Sequence, residues 1–227
     1  NEGSGELTVT AATVTGATKD GIYVRNAATG TDITVTTSGT VTGKERGVYA
    51  RNDGTGAMTI TTAKASGTDN SGIQARNFNS ATDLTITATG AVTGGYSGLY
   101  ARNFGTGALK ITTFDVDGVN PDARHLTARG IDAENKGTDL TITSSGAVTG
   151  TRDGIHARHM GTGSAMVSAV NVTGTTGVGL YALTSSAGTD LTVTATGTVS
   201  GATHGIWTQN DGTGTTSVTV NDSTGTS

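Results

Sequence analysis

Short runs in which apolar and polar residues alternate recur along the whole chain. The run "DLTIT", at residues 83–87 and again at 139–143, places Leu and Ile between threonines. Because successive side chains of a β-strand point to opposite faces, this pattern predicts short strands with one apolar face. No stretch has the 3.6-residue spacing of an amphipathic helix, so we expect almost no helix.

Three such runs form a unit that repeats. The second run is shorter and ends in glycine, as in "AVTG" at 91–94 and 147–150, and the third reads "GLYARN" at 98–103. Variants of the third run open at eight glycines spaced by about 25 residues. These are Gly21, Gly47, Gly72, Gly98, Gly130, Gly154, Gly179 and Gly205. The chain therefore contains similar copies of one unit, which is typical of a repeat architecture.

The repeat also predicts how the copies pack. In one copy the inward residues of the alternating runs are Leu84, Ile86, Val92, Leu99 and Ala101. One copy cannot bury this apolar face alone, whereas stacking copies as parallel strands about 4.8 Å apart closes an apolar interior. We therefore expect an all-β fold, a right-handed three-sided parallel β-helix of about eight to nine coils of about 25 residues. It should form a single domain over residues 1–227 with a frayed C-terminus at about 221–227.

The turn after the third run alternates between two forms. Asp32 and Asp83 end the sequences "GTD" and "ATD", whereas Gly56 and Gly107 end "GTG" in the copies that follow them. The repeating unit is therefore two coils long. We expect the aspartates to accept hydrogen bonds from turn amides and the glycines to adopt a positive φ.

Stacking brings the outward residues of the third run into columns. The first column is Tyr23, Tyr49, Gln74, Tyr100, Asp132, His156, Tyr181 and Trp207. The second column is Arg25, Arg51, Arg76, Arg102, Glu134, Arg158, Leu183 and Gln209. A column of asparagines closes the run, namely Asn26, Asn52, Asn77, Asn103, Asn135 and Asn210. Stacked asparagine amides in a turn of a β-helix are structural, so we assign no binding role to them.

Two interpretations of the outward columns remain open. In the first, they form a solvated face copied by duplication, with Glu134 balancing the charges of Arg102 and Arg158. In the second, a face rich in Tyr, Arg and Trp binds a partner protein, or its arginines bind an anionic, heparin-like glycan. The candidate partner-binding residues are Tyr23, Arg25, Tyr49, Arg51, Arg76, Tyr100, Arg102, His156, Arg158, Tyr181 and Trp207.

One copy contains an insertion at about 119–129. It reads "VNPDARHLTAR" and holds the single proline of the chain. Insertions in solenoids form loops on one face, and such loops often bind partners. We therefore expect Arg124, His125 and Arg129 to be exposed candidates for partner binding.

The sequence favours a non-enzymatic protein. Asp115 and Asp117 could bind Ca²⁺ or act as an acid/base pair, as could Asp132 and Glu134, but the two pairs are predicted on different faces. The two histidines of "HARH" (156–159) point to opposite sides of a strand, so we expect surface histidines and no metal site. No nucleophile or phosphate-binding motif is present. We predict no catalytic residues, no cofactor and no metal.

Composition narrows the classes of partner. The formal net charge is −4, the sequence pI is about 5.4, and there is no cysteine. An acidic chain of this kind is not expected to bind nucleic acid, and disulfide and thiol chemistry are excluded. No apolar run approaches the length of a membrane span, so we expect no membrane insertion of this segment.

The repeats resemble a known family. The segments "ATDLTITATGAVTGGYSGLYARNFGTGAL" (81–109) and "GTDLTITSSGAVTGTRDGIHARHMGTG" (137–163) are similar to the passenger domains of autotransporters, the type V secreted proteins of Gram-negative bacteria. More narrowly, they resemble the proangiogenic autotransporter passengers of Bartonella. The resemblance implies a β-helix that is secreted or held on the bacterial cell surface. It further implies a host cell-surface receptor as partner, the vascular endothelial growth factor receptor, and a virulence factor that stimulates endothelial proliferation.

Two other functions remain as alternatives. The chain could be an adhesin that binds matrix or glycosaminoglycan through the exposed arginines and tyrosines. It could also be a β-helical enzyme that degrades polysaccharides, which requires a groove with convergent carboxylates.

Overall fold

The fold is all-β, as the alternating runs predict. The computed structural model describes residues 1–118 and 127–225, which form 22 strands and no helix. The strands are numbered β1 to β22 in chain order. Parallel pairing between successive copies stacks them into a β-solenoid of about eight turns.

Each of the three runs of the repeat forms its own set of strands. The first run forms β1 (Leu7–Ala11), β4 (Ile33–Gly43), β6 (Met58–Gly67), β8 (Leu84–Ala88), β11 (Leu109–Thr113), β14 (Leu140–Ser144), β17 (Ala165–Ala169), β20 (Leu191–Gly201) and β22 (Thr216–Gly225). The second run forms β2 (Val14–Gly16), β9 (Val92–Gly94), β12 (Val116–Gly118), β15 (Ala147–Gly150) and β18 (Asn171–Gly174). The third run forms β3 (Ile22–Asn26), β5 (Val48–Asn52), β7 (Ile73–Asn77), β10 (Ser97–Asn103), β13 (Arg129–Asn135), β16 (Ile155–His159), β19 (Val178–Thr184) and β21 (His204–Asn210).

The strands belong to two parallel sheets. The first and second runs share a sheet of 14 strands, because β4, β6, β20 and β22 continue from the first run into the second. The third run forms a separate sheet of eight strands in the order β21-β19-β16-β13-β10-β7-β5-β3. Equivalent residues pair in every coil, and the register is kept even across the insertion, where Leu99 pairs with Ile131.

The interior is an apolar column that runs the length of the solenoid. The inward residues predicted for one copy, Leu84, Ile86, Val92, Leu99 and Ala101, have no exposed surface. Their equivalents in neighbouring copies are also buried and belong to the same cluster. Burying a side chain of this size contributes about 1.5–3 kcal/mol, so the stacked coils stabilise one another mainly through this column.

The two-coil unit has a steric and hydrogen-bonding basis. The Oδ1 atom of Asp32 accepts a 2.7 Å hydrogen bond from the amide of Ala57 in the next coil, and Asp83 does the same for Ala108. A Cβ added to Gly56 or Gly107 would contact these carboxylates. An aspartate in one coil therefore requires a glycine above it, which confirms the predicted capping role of the aspartates.

The turn glycines are required by close packing and not by a left-handed backbone. The expectation of positive φ was wrong, because no described glycine has a φ in that region. Gly150 is typical, since a Cβ there would overlap the carbonyl oxygen of Asp153. The second run of each coil thus ends where the chain turns too tightly for any side chain.

The asparagine column is structural, as predicted. The amide nitrogen of Asn103 donates to the carbonyls of Gly107 and Ala108 at 3.0 and 3.3 Å and to the Oδ1 of Asn135 in the next coil at 3.0 Å. Asn103 and Asn135 are fully buried. The column satisfies turn carbonyls that would otherwise be buried without donors.

Part of the segment predicted to fray lies in the last described strand, β22. We expected fraying over 221–227, but β22 pairs with β20 as far as Gly225, including Thr198 with Asp222 and Val199 with Ser223. The reason is that the edge of β20 offers free backbone groups to the last repeat. Residues 226 and 227 lie outside the described residues.

Candidate functional site

The sheet of third-run strands carries the predicted outward columns. Tyr23 pairs with Tyr49, and Arg25 with Arg51, and this register continues to Trp207 and Gln209 at the other end. We call this surface the Tyr/Arg face and define it by the two columns. It consists of Tyr23, Tyr49, Gln74, Tyr100, Asp132, His156, Tyr181 and Trp207, and of Arg25, Arg51, Arg76, Arg102, Glu134, Arg158, Leu183 and Gln209.

Exposure varies along the face. Tyr23 is 59% exposed, whereas Gln74 and Asp132 are buried at 7% and 2%. The two buried side chains are covered because Arg46, from the turn before β5, bonds to Gln74 and Arg129, the first residue of β13, bonds to Asp132. The face is therefore exposed at the Tyr23 end and partly covered in the middle.

Aromatic rings pack against one another at both ends of the face. The rings of His156 and Tyr181 lie 4.6 Å apart, and those of Tyr181 and Trp207 lie 4.4 Å apart with planes that differ by 4°. At the other end, Tyr23 and Tyr49 are 5.3 Å apart in a tilted arrangement. Both faces of the Tyr181 ring are covered by its neighbours, so the stacked group presents mainly ring edges to a partner.

Arginines at the Tyr23 end share one carboxylate. Asp53, which follows β5, accepts hydrogen bonds from Arg25 at 3.0 Å and from Arg51 at 2.9 Å. Partial burial of the Asp53 carboxyl raises its pKa, but the bonds from the two guanidinium groups outweigh this effect and the pKa lies below its usual value. The two arginine charges are therefore partly compensated within the protein.

A second carboxylate lies at the centre of an ion-pair network. Asp132 contacts the guanidinium groups of Arg102 and Arg129 at 2.9 and 3.0 Å and the Nδ1 of His156 at 3.2 Å. Arg129 also pairs with Asp153 at 2.9 Å. Burial raises the pKa of Asp132, but the hydrogen bond with His156 and the charges of Arg102 and Arg129 together hold that pKa well below its ordinary range.

Glu134 balances the charge of two arginines, as the sequence suggested. Its Oε2 atom lies 3.1 Å from Arg158 and 3.9 Å from Arg102. The stacked column therefore contains a carboxylate between its two arginine neighbours. This carboxylate, on the strand between those of Arg102 and Arg158, reduces the repulsion between the two arginines.

Arg76 differs from the other arginines of the face. Its guanidinium lies over the Tyr100 ring, with Cζ 5.0 Å from the ring centroid, and its Nη2 donates to the Tyr100 hydroxyl at 3.3 Å. Within the described part of the chain it forms no ion pair with a carboxylate. Its Nε is buried without a hydrogen-bond partner.

Sequence reasoning missed Arg46, which shapes the middle of the face. This residue precedes β5, lies over the Tyr49 ring at 4.5 Å, and donates from Nε to the Oε1 of Gln74 at 2.7 Å. Its charge is compensated by Asp20 at 3.2 Å. The signal available in the sequence is the slot just before the repeat glycine, which holds an aspartate or an arginine in four of the eight copies, at Asp20, Arg46, Arg129 and Asp153.

The insertion contributes differently from the prediction. Arg124 and His125 lie outside the described residues. Arg129, expected to be an exposed loop residue, begins β13 instead and pairs with Ser97. Its side chain is only 14% exposed because it bonds to Asp132 and Asp153. That expectation was wrong because the chain already pairs with β10 at Arg129, so this residue belongs to the sheet and not to the insertion loop.

The two histidines of the third run of one copy, His156 and His159, are also less exposed than expected. His159 is fully buried in the asparagine column, and its Nε2 donates to the carbonyl of Gly163 at 3.0 Å. Burial lowers the pKa of His159. Only His156 belongs to the face, and it is half-buried against Asp132. The spacing of "HARH" placed the two rings on opposite sides but did not show that one side is the interior.

Three of the four carboxylates considered for chemistry, those of Asp115, Asp132 and Glu134, form structural contacts. Asp115 accepts a 2.8 Å hydrogen bond from the amide of Ala147 in the next coil. Asp132 and Glu134 bond to arginines of the face. No group of three or more His, Asp or Glu side chains that could hold a metal ion occurs within residues 1–118 and 127–225.

Comparisons with known proteins add no further assignment. The chain matches no family model, no curated protein and no solved structure. Among the described residues, no helix is long and apolar enough to cross a membrane.

Proposed function

We propose that this chain is the passenger domain of a bacterial autotransporter, secreted or displayed at the cell surface, and that it binds a host cell-surface receptor protein. The resemblance of its repeats to autotransporter passengers supports the first part. The partner-binding part rests on one observation: five Tyr or Trp rings and five arginines lie in register on a single sheet. Tyr, Trp and Arg are the residues that contribute most binding energy at protein interfaces.

Several side chains of the Tyr/Arg face are held in place by neighbouring rings, which favours binding of a protein partner. The Tyr181 and Trp207 rings are already stacked, and Arg51 lies over the Phe78 ring at 4.4 Å. Side chains held in this way lose little conformational freedom when a partner binds. A solenoid sheet also keeps their spacing fixed, so the face can match a partner surface without rearrangement.

The receptor we propose is the vascular endothelial growth factor receptor. This proposal follows from the resemblance to the proangiogenic passengers of Bartonella, and the consequence is stimulation of endothelial proliferation. The Tyr/Arg face is the surface we assign to the contact.

Binding of a heparin-like glycan is the less favoured alternative. Arg25 and Arg51 share Asp53, and Arg102 and Arg158 share Glu134. A polyanion binds best to a row of cations that are not paired with carboxylates. These ion pairs therefore reduce the affinity for a glycan that the row of arginines predicted from the sequence would have. The overall charge of −4 acts in the same direction.

Surface plasmon resonance with the immobilised receptor ectodomain tests the proposal. We expect saturable binding of the wild-type chain and at least about tenfold weaker binding of the double variant Tyr23→Ser/Trp207→Ser, since both changes remove aromatic contact area. Lys110→Glu is the matched control, because Lys110 is exposed on the other sheet. Equal binding by the double variant and the wild type would remove the face from the interface. Retention on heparin with no receptor binding would favour the adhesin.

A further inference from the structure

A cleft lies beside the middle of the Tyr/Arg face. Its volume is about 350 Å³, and its lining includes Arg46, Gln74, Arg76, Tyr96 and Tyr100. It is bounded on one side by strands β7 and β10 and on the other by the turns that precede the third run. Two guanidinium groups and two phenol rings therefore meet at one concave site.

The charge of this cleft is positive and is concentrated on Arg76. Arg46 pairs with Asp20, and the one acidic residue of the lining, Asp69, pairs with Lys44 at 2.9 Å. Arg76 is flanked in its column by Arg51 and Arg102 and has no carboxylate among the described residues. The cleft thus holds an uncompensated cation between two like charges.

The donors of Arg76 are not fully used. Its Nε is buried without a partner, and its hydrogen bond within the described part of the chain runs from Nη2 to the Tyr100 hydroxyl. Because Nε has no accessible surface, a ligand reaches the guanidinium group through Nη1 and Nη2, and a carboxylate can accept hydrogen bonds from both of these nitrogens. Gln74 supplies a further amide at the cleft, since its Oε1 is held by Arg46 and its amide nitrogen is a donor.

We propose that this cleft binds the carboxylate of an acidic side chain, Asp or Glu, presented by the protein partner. The proposal rests on the function proposed above and names the contact at the centre of the face. Arg76 is the main binding residue, and Tyr100 holds its guanidinium in place by stacking and by the hydroxyl contact. A single free arginine in a confined cleft fits one carboxylate, whereas an extended sulfated glycan requires several free cations in a row.

Nuclear magnetic resonance of the full chain labelled with ¹⁵N-arginine tests the cleft directly. The probe is the peptide Ac-Glu-Glu-Glu-NH₂, and the matched control peptide is Ac-Gln-Gln-Gln-NH₂. We expect the Nε–H signal of Arg76, assigned by its loss in Arg76→Gln, to shift saturably with the glutamate peptide only. The affinity for that peptide should fall by about tenfold in Arg76→Gln, because a charge-assisted contact is lost.

Two further variants keep this result interpretable. Arg152→Gln removes an exposed arginine remote from the cleft lining and should bind the glutamate peptide as the wild type does. Arg76→Lys keeps the charge but not the planar pair of donors, so its affinity should be intermediate. If Arg76→Gln does not fold, as judged by circular dichroism, Arg76→Lys carries the comparison.

Several outcomes would overturn the proposal. These are the absence of a shift with the glutamate peptide, equal affinity of the wild type and Arg76→Gln, or a shift produced only by a sulfated heparin disaccharide. In the receptor assay, Arg76→Gln binding as tightly as the wild type would also reject it while leaving the proposed function intact. Conversely, a saturable peptide shift supports the cleft even if the receptor itself does not bind.

Discussion

Arg102 and Asn103 are adjacent in β10 and perform unrelated tasks. The Arg102 side chain faces outward and bonds to Asp132, whereas Asn103 is fully buried and bonds to turn carbonyls. The difference follows from strand alternation, which sends successive side chains to opposite faces. At the residue scale, the position within the coil therefore decides whether a polar side chain supports the fold or is available to a partner.

Asn103→Ala should destabilise the protein. The substitution removes four hydrogen bonds of the buried side-chain amide, three donated by its nitrogen and one accepted by its oxygen from Gly105, which costs about 1–3 kcal/mol. Urea denaturation measures the loss. Asn210→Ala is the matched control, because Asn210 makes similar bonds in the last complete coil but is only half-buried. A loss for Asn103→Ala no larger than that of Asn210→Ala would contradict the assigned role.

Asp132→Asn should change how stability depends on pH. The folded-state pKa of Asp132 lies below the unfolded value of about 3.9, so its stabilisation is fully present above about pH 5 and is lost as pH falls through the folded pKa. At neutral pH the variant should be about 3 kcal/mol less stable, because Arg102 and Arg129 lose a buried partner. Urea unfolding at pH 7, 4 and 2.5 should show the difference narrowing with acidity. A constant difference would show that Asp132 does not titrate as inferred.

At the element scale, each coil is held by its tightest turns. The glycines that end the second run occur at the same position in every coil, for example Gly43, Gly118 and Gly150. At each of them an added Cβ would meet a backbone carbonyl oxygen across the turn. These turns therefore fix the angle between the second and third runs, and so set where the Tyr/Arg face begins.

Gly150→Ala should disrupt the central coils. Its Cβ would overlap the Asp153 carbonyl oxygen, and Asp153 also pairs with Arg129. We expect a loss of at least about 2 kcal/mol, because backbone atoms have to move. Gly5→Ala is the matched control, since a Cβ at Gly5 would meet nothing within 4 Å. Thermal unfolding by circular dichroism compares the two, and similar midpoints would refute the steric argument.

At the scale of the whole molecule, the solenoid is nearly one-dimensional. Each coil contacts mainly the coils before and after it, so stability is close to a sum of coil and interface contributions. Central strands such as β14 show alternating buried residues, whereas β22 is exposed at nine of its ten residues. The ends of the described stack are therefore less stabilised than the middle, and the middle contains the cleft and the Asp132 network.

Hydrogen exchange should follow this gradient. Amides of β22 and β1 should exchange fastest among the strands, and those of β10, β13 and β14 slowest, because opening a central coil exposes two coil interfaces. Exchange followed by mass spectrometry after pepsin digestion measures the profile. Uniform protection from β1 to β22 would mean that the described coils unfold as one unit.

The sequence specified much of the fold through simple periodicities. Alternation identified the inward residues, and the repeat length alone aligned the column from Tyr23 to Trp207. It could not show that Arg129 belongs to the sheet, because the insertion hides where the register resumes. Nor could it show that His159 is buried, since a histidine in an asparagine slot resembles a surface residue.

The candidate site was predicted only in outline. The columns of the Tyr/Arg face follow from the repeat, but the pairing of Arg25 and Arg51 with Asp53 depends on side-chain paths that the register does not determine. The same applies to Arg46, which reaches the face from a preceding turn. Counting the arginines of the face from the sequence therefore overestimates how many of their charges are unpaired.

What the sequence determined by itself is the stacking of copies, because a period of two residues within strands and about 25 between them allows one register. What only the tertiary structure decided is which charges remain free. Arginine side chains are long and flexible, so the carboxylate with which each one pairs depends on which groups lie nearby once the coils have stacked. Among the described residues, Arg76 forms no ion pair with a carboxylate. The sequence places a row of arginines on one face, whereas the tertiary structure pairs Arg25, Arg51, Arg102 and Arg158 with carboxylates.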